Sequence, residues 1–97
     1  MSSIIDTNTG KIEDWSIYIK NMHNFICVKL TDKIQDNILK NKSVWLLHIN
    51  NDTFQTSNIV KFDSDDLSIN TYSGSKYYLG ESKDDYNIEF LKQYFNN

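Results

Sequence analysis

The chain has 97 residues, of which 39% are hydrophobic and 13% aromatic, and its formal charge is -3. A chain of this length can bury one modest core, and this hydrophobic content excludes a disordered polypeptide, which combines low hydrophobicity with high net charge. The ten positive charges are all lysines, because the sequence contains no arginine. A nucleic-acid-binding face is usually basic and rich in arginine, so this composition disfavours direct nucleic-acid binding.

The cysteine content and the lack of long apolar runs bear on the compartment. Cys27 is the single cysteine, so it has no internal disulfide partner, and the apolar residues around it predict a buried thiol. No apolar run is long enough to span a bilayer, and the first residues lack the basic-then-apolar pattern of a signal peptide. We therefore expect a cytoplasmic protein that does not bind membranes, and a monomer.

The first predicted element is a strand that follows a polar arm. Residues 1–11 are polar and predict a flexible arm. From residue 15 to 19 the side chains alternate in polarity, which places Trp15, Ile17 and Ile19 on one face. This alternation predicts a half-buried strand.

A second strand is predicted to complete a hairpin with the first. Turn-forming residues at 21–24 precede the apolar run 25–30, which predicts a strand that the rest of the fold largely covers. In the next segment, 31–42, Ile34 and Ile38 lie at helical spacing. That segment allows either a short helix or an irregular loop.

The stretch 44–80 has the strongest strand pattern. Its apolar opening predicts a central strand with both faces covered, and Gly74 predicts a tight turn near its end. The predicted strands of this stretch cover residues 44–49, 56–62, 67–72 and 76–79.

The C-terminal segment predicts a helix over 82–96. Ser82 is a candidate N-cap, and aromatic residues recur at helical spacing at Tyr86, Phe90 and Tyr94. Such a stripe predicts docking on a sheet. We therefore expect a single α+β domain, mainly β, in which residues 12–80 form a small, strongly curved antiparallel sheet or partly open barrel of about six strands, with the helix packed on it.

The residues that could carry catalysis do not form a recognisable motif. Three glycines are too few for a phosphate-binding loop, and Cys27, His23 and His48 do not lie at zinc-ligand spacing. The acidic start at residue 63 resembles a calcium loop, but the sixth position is not glycine and the twelfth is not glutamate. We therefore expect a protein that is not an enzyme and that binds no cofactor or metal.

The acidic residues are concentrated in two predicted turns, at 63–66 and 81–85. Alternate turns of an antiparallel sheet lie at the same end, so the two groups predict one acidic face with tyrosines beside it. Carboxylates next to tyrosines suit an interface that attracts and anchors a basic protein, although ordinary solvated turns have the same composition. The candidate partner-binding residues are Asp63, Asp65, Asp66, Tyr72, Tyr78, Glu81, Asp84 and Asp85.

Two sequence blocks within 44–80 also resemble a known pattern. They are Thr-Ser-Asn-Ile-Val at 56–60 and Thr-Tyr-Ser-Gly-Ser-Lys-Tyr-Tyr-Leu-Gly at 71–80. This pairing is similar to a pattern in small bacterial proteins, among them immunity proteins of contact-dependent growth inhibition systems. The turn before the pattern differs, because residues 51–54 replace the aromatic-Asp-Gly type of the group.

The resemblance implies a non-enzymatic immunity protein that neutralises a cognate toxin, a basic nuclease such as an RNase, by covering its active site. Two alternatives stay open at this point. One is a small phage-type inhibitor of a defence nuclease. The other is a small β-barrel that binds single-stranded nucleic acid by stacking on aromatic side chains.

Overall fold

The computed structural model of the chain describes residues 9–95. Within this range the strands are β1 (Thr9–Ile12), β2 (Ser16–Asn21), β3 (Cys27–Lys29), β4 (Trp45–Asn50), β5 (Ile59–Asp63), β6 (Ser68–Thr71) and β7 (Lys76–Leu79). The helices are α1 (Gln35–Lys40), a short 3-10 helix (Lys42–Val44) and α2 (Tyr86–Phe95). The predicted class, α+β and mainly β with a C-terminal helix packed on the strands, is confirmed.

The strands form two sheets. One has four strands in the order β1-β7-β6-β5, and the other has three in the order β3-β2-β4. The pairs are antiparallel except for β1 with β7, which run parallel. Over the described residues the sheets do not close into a barrel. The structure has seven strands in two sheets, whereas the sequence predicted about six strands in one sheet or partly open barrel.

The chain returns from the three-stranded sheet to the four-stranded sheet just after β4. The backbone N–H of Thr56 donates to the carbonyl of Ile49 at 2.9 Å, and the Thr56 hydroxyl accepts from the Ile49 N–H at 3.1 Å. Because the threonine side chain takes a place that a neighbouring strand would use, the ladder ends there and the chain passes to the other sheet. As a result β2, and not β4, is the central strand of the three-stranded sheet.

One core cluster draws side chains from both sheets and both α-helices. The predicted buried face of β2 is confirmed, since Trp15, Ile17 and Ile19 are at most 1% exposed. In the antiparallel register Ile17 lies opposite Ile49, and Ile19 lies opposite Leu47. These cross-strand pairs share one face of the sheet, so their contacts pack the core between β2 and β4.

The aromatic stripe predicted for the C-terminal helix is also confirmed. Phe90 and Leu91 are fully buried, and Tyr86 and Tyr94 pack partly buried against the same core. The Tyr94 hydroxyl donates to the carbonyl of Lys42 at 3.2 Å, which fixes the end of α2. Burial raises the pKa of Tyr94 above its usual value. None of the helices in residues 9–95 is long and apolar enough to cross a membrane.

The helix begins later than predicted, at Tyr86. The expected N-cap is wrong, because the Ser82 hydroxyl donates to the Asp84 carbonyl at 2.7 Å. Ser82 instead forms a parallel bridge with Trp15, which keeps its backbone extended.

Residues 9–15 and 76–83 form the longest parallel contact in the fold as described. The pairing of β1 with β7 brings Ile12 opposite Leu79, and the Gly80 N–H then donates to the Ile12 carbonyl at 2.8 Å. Three residues further on, the Lys83 N–H donates to the Trp15 carbonyl at 2.8 Å. The predicted flexible arm therefore ends in a strand, and the rest of it, residues 1–8, lies outside the described residues.

Trp15 joins the two sheets at this contact. It directly precedes β2, is fully buried, and its indole Nε1 donates to the Gly80 carbonyl at 3.0 Å. The side chain thus packs in the core while its polar atom holds the segment that leaves β7. Trp15 therefore helps to tie the four-stranded sheet to the three-stranded sheet.

Replacing Trp15 with Ala is expected to lower the free energy of unfolding by about 3–5 kcal/mol, because a large buried side chain is deleted. Trp15→Phe retains an aromatic ring but loses the hydrogen bond to Gly80, so we expect a smaller loss of about 1–2 kcal/mol. Urea denaturation followed by circular dichroism measures both. Trp45→Phe is the control, since Trp45 is only half-buried, and an equal loss in the two Phe variants would contradict the role of the indole.

Candidate functional site

One end of the four-stranded sheet collects carboxylates from three separate segments. The Leu79 N–H donates to the Leu67 carbonyl at 2.7 Å, which places the end of β7 beside the turn at 63–66. The bond from Gly80 to Ile12 places residue 81 beside residue 13 on the other side. We call this end the acidic rim, and its residues are Glu13, Asp14, Asp63, Asp65, Asp66 and Glu81.

Glu13 closes the gap between two of these segments. Its Oε1 accepts a hydrogen bond from the Glu81 N–H at 2.8 Å, and its Oε2 lies 3.3 Å from Lys11 Nζ. The bond from Glu81, and then Lys11, lower the pKa of Glu13. Gly80 makes the approach possible, because a Cβ at that position would overlap the Glu13 carboxylate.

Some of the rim charge is neutralised within the chain. Asp66 lies 3.7 Å from Lys76 Nζ and accepts from the Ser68 hydroxyl at 2.6 Å. Asp63 accepts from the backbone N–H of Asp65 at 2.9 Å, which shapes the turn. The side chains of Asp14, Asp65 and Glu81 are exposed, and no residue in the range 9–95 forms a salt bridge with them. The rim therefore presents excess negative charge to solvent.

The two predicted tyrosines lie at different places. Tyr78 is on β7 next to the rim, and Lys76 Nζ lies 5.2 Å from its ring centroid while also reaching Asp66. Tyr72 is 78% exposed and follows the opposite end of β6, where its N–H donates to the Asn58 carbonyl at 2.8 Å. Of the two, only Tyr78 can act together with the rim carboxylates.

Asp84 and Asp85 stand apart from the rim. Asp84 lies 3.3 Å from Lys29 Nζ on the other sheet. Asp85 is exposed and immediately precedes α2. A carboxylate at that position interacts favourably with the positive end of the helix dipole. The predicted group of eight residues is therefore divided, with Asp63, Asp65, Asp66, Glu81 and Tyr78 together at the rim.

Sequence reasoning missed Glu13 and Asp14. They belong to the rim only because β1 pairs in parallel with β7, a strand that follows it by more than 60 residues. Nothing in the local pattern of residues 9–14 indicates that partner. The one available signal was that Glu13 and Asp14 are adjacent acidic residues.

A shallow polar cleft of about 80 Å³ lies behind the rim, where β2 begins and β4 ends. Lys83 and Asp52 form an ion pair across its mouth at 3.2 Å. Asn50 Oδ1 is buried there without a hydrogen-bond partner among the described residues. The cleft has room for a few water molecules, whereas sites for small organic ligands are usually several times larger. Within residues 9–95, no three His, Cys, Asp or Glu side chains are placed to hold a metal ion.

A second surface lies on the hairpin of β2 and β3. The exposed fractions are 49% for Met22, 70% for Phe25, 57% for Ile26 and 41% for Val28. We call these four residues the apolar hairpin. The prediction of a covered strand and a buried Cys27 is wrong, because β3 is the edge strand of its sheet and all three of its residues are exposed.

Phe25 takes a backbone conformation that a bulky residue rarely adopts. Its φ is +61°, and its N–H donates to the Asn21 carbonyl at 2.9 Å. Asn21 Oδ1 also accepts from the N–H groups of His23 and Asn24, so one side chain organises the whole turn. The left-handed region costs a residue with a Cβ about 1–2 kcal/mol, and glycine or asparagine usually occupies it.

Comparisons with known proteins returned no relative. No protein-family model matches the chain, and no match was found among curated proteins or solved structures. The resemblance of residues 56–60 and 71–80 to bacterial immunity proteins therefore stays a prediction.

Phe25→Gly is expected to be more stable than Phe25→Ala by about 1 kcal/mol, because only glycine adopts the positive φ without a steric cost. This reverses the order found at ordinary strand and helix positions. Thermal and urea unfolding of the two variants measure the difference. Glu89→Gly and Glu89→Ala, at an exposed position within α2, are the matched controls and should show the ordinary order.

The depressed pKa of Glu13 predicts a pH-dependent contribution to stability. A carboxyl whose pKa is lower in the folded state stabilises the fold above its unfolded pKa, here an ordinary value of 4.5, and loses that contribution as the pH falls through the folded value. Glu13→Gln should therefore lower the melting temperature at about pH 7, and its effect should shrink as the pH falls below 4.5 through the lowered pKa of Glu13. Glu89→Gln, an exposed position on α2, controls for the loss of one charge. An effect of Glu13→Gln that does not change with pH would contradict the assignment.

Proposed function

We propose that this protein is a non-enzymatic inhibitor of the immunity type, which binds a cognate toxin with a basic surface and covers its active site with the acidic rim. A nuclease domain, such as an RNase, is the proposed partner. The observation that carries the proposal is the acidic rim itself. Six carboxylates from three segments meet at one sheet end, and lysines of the chain pair with two of them.

Charge is the first property that supports this function. A surface with unpaired carboxylates attracts a basic partner over a distance of about one Debye length and raises the association rate. Nuclease clefts use lysine and arginine to hold phosphates, and carboxylates form charge-assisted hydrogen bonds with the same side chains. The rim can therefore compete with the nucleic acid for the groups that bind it.

Rigidity is the second supporting property. The rim residues lie in turns at the ends of hydrogen-bonded strands, and Glu13 is held by the Glu81 N–H. Tyr78, 38% exposed next to the rim, offers an aromatic contact that needs little ordering on binding. A surface that is already ordered loses less conformational entropy when it binds.

The test combines charge reversal with a matched control. We expect Asp65→Lys with Glu81→Lys to weaken binding to the product of the neighbouring toxin gene by about tenfold or more, mainly through a slower association rate at low salt. Asp36→Lys with Glu89→Lys changes the net charge equally at exposed positions on the two α-helices, and should have a much smaller effect. Surface plasmon resonance at two salt concentrations separates association from dissociation.

Growth rescue is the second readout. Cells that express the toxin should survive with the wild-type protein and with the helix variant, and should die with the rim variant. Equal binding and equal rescue by both double variants would refute the role of the rim. If the protein instead rescued cells from a defence nuclease and not from a neighbouring toxin, the phage-type inhibitor would replace this proposal.

A further inference from the structure

We propose that the apolar hairpin is a self-association surface, in which β3 of one copy pairs antiparallel with β3 of a second copy about a twofold axis at Val28. The proposal concerns a different sheet from the acidic rim and does not depend on the function assigned to the rim. It departs from the monomer that the sequence predicts.

The backbone of β3 has an open edge with the right register for such a pair. On the inner side, the Asn21 N–H donates to the Ile26 carbonyl at 2.9 Å and the Leu30 N–H donates to the Ile17 carbonyl at 2.8 Å. Because hydrogen-bonding positions alternate along an antiparallel strand, the groups of Cys27 and Lys29 point away from β2. β3 has no other strand neighbour among the described residues.

A twofold axis at Val28 pairs these outward groups with each other. Cys27 of one copy then lies opposite Lys29 of the other, and each pair can exchange two backbone hydrogen bonds. If the axis instead lay between two residues, a residue whose backbone groups point away from β2 would lie opposite one whose groups point toward β2. Neither residue could then form hydrogen bonds between the copies. Cys27 and Lys29 lie symmetrically on either side of Val28, so the outer edge of β3 can form backbone hydrogen bonds with the same edge of a second copy.

The side chains favour the same arrangement. Val28 lies opposite Ile19, which is 1% exposed, so Val28 and Ile26 continue the core face of the sheet outward. They stay exposed because the sheet ends at β3. In the pair, Val28 of each copy meets Val28 of the other, and Ile26 of each copy lies opposite Leu30 of the other. Leu30 is already buried in its own core, so the exposed side chains that gain an apolar contact are Val28 and Ile26.

The charge on β3 is compatible with pairing to a second copy. A lysine on an edge strand usually prevents pairing, because its charge would be desolvated. Here Lys29 already lies 3.3 Å from Asp84, and Lys20 Nζ lies 5.5 Å from the centre of the Phe25 ring. Lys29, the cation on the pairing strand itself, is therefore neutralised within its own copy and adds no uncompensated charge to the contact, whereas Lys20 keeps its charge at the side of the hairpin.

Phe25 supports the interpretation that this surface is used. It is 70% exposed, its left-handed backbone is costly, and the Lys20 contact offsets that cost only in part. Its ring enlarges the apolar surface next to β3.

Sedimentation equilibrium over a range of protein concentrations tests the proposal. The wild-type chain is expected to form a dimer, and Val28→Glu is expected to abolish it, because two carboxylates would lie directly opposite each other at the axis. Val60→Glu makes the same change at a valine that is 52% exposed on the other sheet, and it should leave the dimer intact. Matching circular dichroism spectra and melting curves show that Val28→Glu remains folded.

Chemical cross-linking tests the register. In the proposed pair the two Cys27 side chains are diagonal neighbours on one face, with Cα atoms about 7–8 Å apart, which is too far for a direct disulfide. A short bis-maleimide should therefore give a covalent dimer with the wild-type chain, and none with Cys27→Ser or Val28→Glu.

Three results would overturn the proposal. They are a wild-type monomer at every concentration, a dimer that Val28→Glu does not weaken, and a dimer that bis-maleimide does not link through Cys27. A monomer that instead binds vesicles of anionic lipid through the hairpin would assign this surface to a membrane.

Discussion

The fold depends on one parallel contact between distant parts of the chain. Residues 9–15 lie beside residues 76–83. Trp15 is at the end of this contact, directly before β2 of the three-stranded sheet. The indole fills the core with its ring and holds the Gly80 carbonyl with its N–H. A buried tryptophan needs a partner for that N–H, so the position satisfies packing and hydrogen bonding together.

The same contact creates the candidate functional surface. Without it, Glu13 would be one charged residue near the start of the chain, and Glu81 one residue of a loop before α2. With it, the Glu13 carboxylate accepts the Glu81 N–H, and the rim extends across β1, β7 and the turn before β6. The apolar hairpin belongs to the other sheet, so the two surfaces can act independently. A chain of this size thus displays an acidic and an apolar surface on one small core.

The local structure could be read from the sequence to a large extent. Alternation along β2 predicted which side chains are buried, β7 was predicted with its observed bounds, and the stripe on α2 predicted its docking. The class of the fold followed from these elements. The acidic turn at 63–66 was also predicted, because clustered aspartates after an apolar run favour a turn over a strand.

The arrangement of the strands could not be read in this way. A period of two shows which face a side chain occupies, but it does not show which strand lies beside it. For that reason the change of sheet after β4 and the pairing of β1 with β7 were not predicted, and Glu13 and Asp14 were missed. The apolar run at 25–30 correctly indicated a strand, yet it gave no information on whether that strand lies at an edge. Cys27 is exposed because β3 is an edge strand and Cys27 lies opposite Lys20, on the face away from the core, while Phe25 is exposed because it lies in the turn before β3.

The parallel pair of β1 and β7 also affects how the chain folds. Among the described residues β1 pairs only with β7, so the four-stranded sheet and the Trp15 bond to Gly80 form only when residues 76–80 have been synthesised. Closing a loop of this length has an entropic cost that must be met before the contact stabilises anything, which slows folding. During that interval the three-stranded sheet, whose strands all lie within residues 16–50, can form first. The exposed β3 edge belongs to this sheet, so it can be present before the acidic rim has formed.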